Sequence, residues 1–428
     1  MYGLIFILLV PMTVVSWFRP RIGVLCVLAL LPTYVIRGAI LGIPTTFLEL
    51  SIYLTSIIWI IREKPKFNFR DIARKYKIWL LLGSTWLLSC IIGIMIASDS
   101  RAALGIFKGW IIDPILFTLI VSAVGASVTD KFRFWQECIF MLLIGASVVG
   151  GVAMLQFIQM DFIGRAKAWY DSPNVMAMYL VPIAVAAFGW VTVEAKGIIQ
   201  HAWLWIWYFM IFLALIGIIS SASISCILAV GVGIAVYIMF SVIKVSTVWL
   251  KIVGTLIIFV GLIIPWFSVN QGHFPLPTRN NELNGASSGE IRMIMWREAI
   301  DVIHKNPLLG VGLGQWQSYF SKLIKPGLRG ALNPGYLVEL HFASLFPHNL
   351  WLTTWLFTGI LGLTSLVGLS LLVFYSSRSV VLPAAVLAAV LVIGIVDTPV
   401  YKNDLAIIFA LVISAAIGVK TLSLYDRT

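Results

Sequence analysis

Apolar runs long enough to cross a lipid bilayer recur through this chain, separated by short polar breaks, and no other feature restricts its fold so sharply. WLLLGSTWLLSCIIGIMIA and LWIWYFMIFLALIGII are two of them, and the shorter ILLVPMTVV lies near the start. A bilayer core about 30 Å thick takes about 20 mostly apolar residues in helical form. Inside it every backbone N–H and C=O needs a partner within the protein, which excludes an open sheet edge. Composition agrees: 60% of the 428 residues are hydrophobic and 11% charged, against about 45–50% and about 25% in soluble domains. The expected fold class is all-α, a polytopic helical integral membrane protein surrounded by membrane lipid. The first run lacks a basic leader and a small-residue cleavage pattern after Trp17-Phe18-Arg19-Pro20, so it reads as a retained helix.

The net charge of +12 is unevenly placed. REKPKFNFRDIARKYK, residues 62 to 77, carries seven Lys/Arg against Glu63 and Asp71, a net +5. Short basic loops stay cytoplasmic, so this segment sets the orientation. With no aromatic interleaving and no recognition fold beside it, it does not indicate nucleic acid. The cysteines at 26, 90, 138 and 226 all lie within apolar runs, without CxxC spacing or histidine neighbours. They indicate neither a disulfide framework nor a metal site, and no cofactor is expected.

Counting outward from the basic segment, spans are expected near 78–97, 110–127, 137–160, 174–193, 202–219, 224–243, 251–268, 349–374, 379–396 and 404–422. About three shorter ones precede it. The total is about 13, within a range of 12 to 14 and with the Pro11-interrupted first run the least regular. One transmembrane domain, 1–428, is expected to carry a long extracytoplasmic loop over 269–348. That loop holds His273, His304, His341 and His348, four of the five histidines. Within it EIRMIMWREAIDVIHKN predicts an amphipathic helix over about 290–305. Ser287 and Glu290 form its expected capping box, Asn306-Pro307 ends it, and Ile291, Met295, Ala299 and Val302 share one face. Such a helix lies on a membrane surface or roofs a cavity.

FPHNLWLTTWLFTGILG, residues 346 to 362, puts Pro347, His348 and Asn349 at the lip of an apolar helix. His348 reads either as an interfacial histidine bonding a neighbour or as a base. A helix N-terminus disfavours imidazolium and offers N–H donors that suit an anion such as phosphate. Asn349 supplies an amide for orientation. Arg165, in the outer loop MDFIGRAKAWYDSPN, reads either as a snorkelling anchor or as a phosphate clamp near the turn Ser172-Pro173-Asn174. Arg292 shares a helix face with Trp296, a pairing common on sugar and phosphate surfaces, whereas Arg297 reads as solvated. Gly310, Gly312 and Gly314 lack a strand–helix context and read as a tight turn, not a dinucleotide site. Asp397, at the outer end of the penultimate span, is a functional candidate, with capping or pairing to Lys402 as the plain alternative. The serines at 220, 221, 223 and 225 cap frayed backbone and have no His or acid near them in sequence.

ALGIFKGWIIDPILF (103–117), GRAKAWYDSPNVMAMYL (164–180), IRMIMWREAIDVIHKNPLLGVGLGQW (291–316) and PHNLWLTTWLFTGILG (347–362) together resemble the O-antigen ligase/polymerase family of bacterial membrane glycosyltransferases. The resemblance implies metal-independent transfer of a glycan from an undecaprenyl-pyrophosphate carrier to a hydroxyl of a lipid, glycan or protein acceptor. It implies an active site on the outer face of the cytoplasmic membrane, with His348 catalytic and Arg165 and Arg292 binding the donor. Asn349, Asn174 and Asp397 join them as candidate substrate-binding residues. Relatives commonly show Ser-Arg where this chain has Ser223-Ile224, so a basic contact is missing or comes from Lys108 or Arg101. Ligase and repeat-unit polymerase are not separated by these motifs. A polysaccharide or polyprenyl-glycan transporter is the alternative from another class, although the halves show no symmetry.

Overall fold

Helices follow the apolar runs closely. The computed structural model describes residues 2–40, 43–65, 69–194, 201–270, 288–323, 346–377 and 380–425. His273, Ser287 and His341 of the long segment lie outside them. The described residues form α1 (Tyr2–Phe18), α2 (Pro20–Ala29), α3 (Phe47–Glu63), α4 (Phe69–Lys75), α5 (Lys77–Met95), α6 (Ser100–Phe107), α7 (Asp113–Ser127) and α8 (Lys131–Gln159). There follow α9 (Pro173–Glu194), α10 (His201–Ser220), α11 (Ile224–Tyr237), α12 (Thr247–Asn270), α13 (Ser288–Lys305), α14 (Trp316–Leu323), α15 (Leu350–Ser376), α16 (Leu382–Gly394) and α17 (Asn403–Tyr425). Among the described residues eight helices are long and apolar enough to cross a membrane, and four shorter apolar ones (7–18, 20–29, 382–394 and 403–418) accompany them. This is a multi-pass helical membrane protein.

Pro11 stays inside α1 and does not end it. Two features escaped the hydropathy pattern. Residues 37–40 and 43–46 pair as an antiparallel hairpin with Arg37 opposite Thr46. It feeds α3 through a capping box, in which Thr46 accepts from Glu49 N at 3.1 Å and Glu49 reaches back to Thr46 N at 3.2 Å. Between α6 and α7, residues Lys108–Ile112 form a π-helical turn, a local widening that often marks functional sites.

α16 is buried almost all round, with Ala384, Ala385, Ala388 and Ala389 letting α9 and α11 approach closely. α8 packs on α10 and α5 on α15. α13 does not lie free on a surface. Met295, Trp296, Ala299, Ile300, Val302 and Ile303 are buried, and the helix packs against α12 and α15.

Its C-terminal end is tied down by the glycine turn. Gly310, Gly312 and Gly314 all have positive φ. Val311 N donates to Leu356 O at 2.7 Å and Leu313 N to Gly93 O at 3.2 Å, so the turn bridges α15 and α5. α15 makes room for it by breaking at Gly359, whose φ of 65° and ψ of −167° are not helical.

Candidate functional site

His348 stands just before the N-cap of α15 in the left-handed region, with φ of 51°. That conformation costs a non-glycine residue about 1–2 kcal/mol and persists where its surroundings fix it. Two contacts do so. Trp296 Nε1 donates to His348 O at 3.3 Å, and His348 Nδ1 lies 3.1 Å from Asp397 Oδ1. Arg292, one turn before Trp296 on α13, brings Nη2 to 3.9 Å from Asp397 Oδ2. The Asp397 side chain is 6% exposed, and those of Arg292 and His348 are 20% and 24% exposed. A buried acid thus sits behind two groups that retain access to the surface.

Burial pushes the Asp397 carboxyl up, but His348, Arg292 and a bond from Thr398 N at 2.9 Å outweigh it and hold it below the ordinary carboxylate range. Lys402, the expected alternative partner of Asp397, instead donates to Asp171 Oδ2 at 2.8 Å.

Asn349 is fully buried. Its Oδ1 accepts from Leu352 N at 2.9 Å and its Nδ2 donates to Ile395 O at 2.7 Å. Asn349 is thus a helix cap that ties α15 to the segment bearing Asp397. Trp296 is likewise buried and bonded to His348, so it is not an open sugar surface beside Arg292. Asn349 caps Leu352 N, and the first turn of α15 is buried.

Arg165 lies across the serine turn. Its Nε donates to Ser221 O at 2.8 Å and its Nη2 to Asn174 Oδ1 at 2.7 Å, while Ala166 N donates to Ser220 O at 2.9 Å. Asn174 therefore orients Arg165. The loop that carries them holds Asp161, Phe162 and Ala168 at positive φ. Serine hydroxyls bond the frayed end of α10, Ser220 to Gly217 O and Ser221 to Ile218 O. Cys226, in the first turn of α11, lies within electrostatic reach of both Asp397 and Arg292. The turn 220–226 is thus bonded by Arg165 at Ser221 O.

Lys108, a suggested substitute for the missing basic residue, is engaged elsewhere. Its Nζ donates to Pro44 O at 2.7 Å and to Glu49 Oε2 at 2.8 Å. Arg101 is exposed on α6. A cavity of about 450 Å³ lined by Trp190, Trp203 and Trp207 opens beside Asp130, at the other end of α8 from the Arg165 loop. Its charges are already spent, since Arg133 pairs with Glu137 at 3.6 Å and Asp130 caps α8. Among the described residues no group of three or more His, Cys, Asp or Glu could hold a metal ion.

Fold and geometry thus define a multi-pass membrane protein with a cationic, histidine-bearing cluster at one end of its helices. Residues 209–367 match the O-antigen ligase family (Wzy_C), a segment running from α10 into α15 that includes Arg292 and the His348 lip. Over that segment the chain is similar to O-antigen ligases, which supports a glycosyl-transfer role in polysaccharide assembly. Arg165, Asn174 and Asp397 fall outside the matched segment. No curated protein matches the chain.

Proposed function

We propose that this protein transfers a glycan from an undecaprenyl-pyrophosphate carrier to an acceptor hydroxyl, with inversion, at the outer face of the cytoplasmic membrane. The observation that carries the reading is the His348–Asp397–Arg292 group, which sets a candidate base against a candidate phosphate ligand. With Nδ1 committed to Asp397, Nε2 of His348 takes the proton of the acceptor hydroxyl. The acceptor oxygen then bonds to the anomeric carbon as the carbon–oxygen bond to the diphosphate breaks. Arg292 and Arg165 stabilise the negative charge that the departing diphosphate carries away. Asp397 holds the ring tautomer and balances the imidazolium that forms, a role for a buried acid that need not itself change protonation. Diphosphate is a good leaving group, so charge stabilisation matters at least as much as the base.

The basic segment 62–77 supports an outward-facing site, because it assigns its own end of the helices to the cytoplasm. Purified protein in vesicles, given the lipid-linked glycan and an acceptor, tests the reading. New glycosidic bonds with release of free carrier diphosphate are expected. Movement of the carrier between leaflets with no new bond would favour transport instead. Products that lengthen on the carrier alone would make the enzyme a polymerase, and single additions to a separate acceptor a ligase.

A further inference from the structure

The motif ALGIFKGWIIDPILF has no part in the reaction as drawn, yet unusual means hold one of its residues in place. Trp110 lies in the π-helical turn between α6 and α7. Its Nε1 donates to Asn403 Oδ1 at 3.2 Å, and Asn403 Nδ2 donates in turn to Glu49 Oε1 at 3.2 Å. The ion pair of Lys108 with Glu49 fixes the backbone two residues earlier. At Gly109 a Cβ would come within 2.9 Å of Asn403 Nδ2 and 3.2 Å of Glu49 Oε1, so a larger residue would push on the two side chains that aim the indole. Residues of α3, the π turn and α17 therefore converge on the posture of one indole.

That indole leads to the histidine lip. Its ring centroid is 5.7 Å from that of Phe346, two residues before His348, and 6.3 Å from that of Tyr401. Phe346 and Tyr401 are 7% and 1% exposed, and Tyr401 is fixed by Thr354 at 2.9 Å. Trp110 alone of the three remains partly open. A tryptophan that merely faces lipid needs no ion pair and no asparagine to aim it. A flat apolar surface held rigid in this way suits the C–H face of a pyranose.

We propose that Trp110, packed on Phe346 two residues before His348, is a saccharide-stacking platform that binds a sugar ring of the carrier-linked glycan or of the acceptor. The proposal rests on the transfer reading for the site's purpose and for its kinetic test, but not for the footprinting that decides it. Hydroxyl-radical footprinting of the wild-type protein in vesicles reads Trp110 directly, with bare undecaprenyl pyrophosphate, glycan-loaded carrier or acceptor glycan added separately. Protection of Trp110 by a saccharide-bearing ligand, and none by the bare carrier, is expected. The protecting ligand identifies the source of the sugar. Equal protection by the bare carrier, or protection by none, would overturn the proposal. Trp110→Leu should raise KM for the protecting substrate about tenfold while kcat stays within about twofold, with Trp110→Phe between. A fall in kcat at constant KM, or no change, would equally overturn it. Saccharide protection in a protein that forms no glycosidic bond would sink the transfer reading and leave this one standing.

Discussion

His348 Nδ1 and Asp397 Oδ1 lie 3.1 Å apart across 49 residues of sequence, joining the lip of α15 to the segment that follows α16. Asn349, the next residue, makes the same link through Ile395 O. The pairing is thus braced twice, once through a side chain that can do chemistry and once through one that caps a helix. On the proposed mechanism His348→Ala should reduce turnover about 10²–10⁴-fold, the range of general-base help. Asp397→Asn should also lower kcat, because the amide neither balances an imidazolium nor fixes the same tautomer. Product formation in vesicles, with circular dichroism as a check on folding, measures both. Near-normal turnover by His348→Ala would remove the base from the mechanism.

Arg292 differs from a generic cation in its fork of N–H donors. If it grips two oxygens of the diphosphate, Arg292→Lys keeps the charge and still loses the paired geometry. A loss of about 10-fold or more in kcat/KM is expected, equivalent to about 1.4 kcal/mol. Arg292→Ala should lose more, and it should also weaken the hold on Asp397. Full activity in Arg292→Lys would reduce the residue to a point charge.

The membrane helices were legible because a span of about 20 apolar residues leaves a one-dimensional signal. The expected span 224–243 and the observed 224–242 show how little tertiary context alters it. The amphipathic face of α13 was equally readable, since Met295, Ala299 and Val302 recur at helical spacing and are buried. What could not be read was pairing at long range. Asp397 stood out as an acid at a helix end, but nothing local distinguishes Lys402 from His348 as its partner. Asn349 and Trp296 illustrate a second limit. Their types suit ligand contact, whereas their burial turns the same hydrogen-bonding groups inward. The hairpin at 37–46 is too short and too mixed in composition to give a strand pattern.

The position of Asp397 sets a pH dependence with a definite sign. Its carboxyl is held below the ordinary carboxylate range in the folded protein, so the folded state binds the proton less readily than the unfolded chain. Its contribution to stability is therefore present in full above about pH 5 and is lost as pH falls through the depressed value. Asp397→Asn removes that contribution. The difference in Tm between wild type and variant in detergent should hold steady through the pH range above the ordinary carboxylate value and shrink below it. A difference that instead grew toward acid pH would contradict the assigned direction.

Gly359 joins the kink of α15 to the turn that follows α13, the helix carrying Arg292. Its φ of 65° and ψ of −167° fall in a region essentially reserved for glycine. A Cβ there would press on the backbone of Leu308 and Leu309. The same stretch carries Ile360 N donating to Leu308 O at 3.1 Å and Trp355 Nε1 donating to Pro307 O at 2.7 Å. Gly359→Ala must therefore either displace the turn after α13 or straighten α15, and the backbone strain alone costs about 1–3 kcal/mol. We expect a lower Tm and, at temperatures where the variant is folded, reduced kcat/KM through a misplaced Arg292, although residue 359 touches no substrate. Combining it with Arg292→Ala separates the two effects. The kinetic penalty of Gly359→Ala should largely vanish in the Arg292→Ala background while its thermal penalty persists. Full additivity in kcat/KM would show that the kink does not act through Arg292.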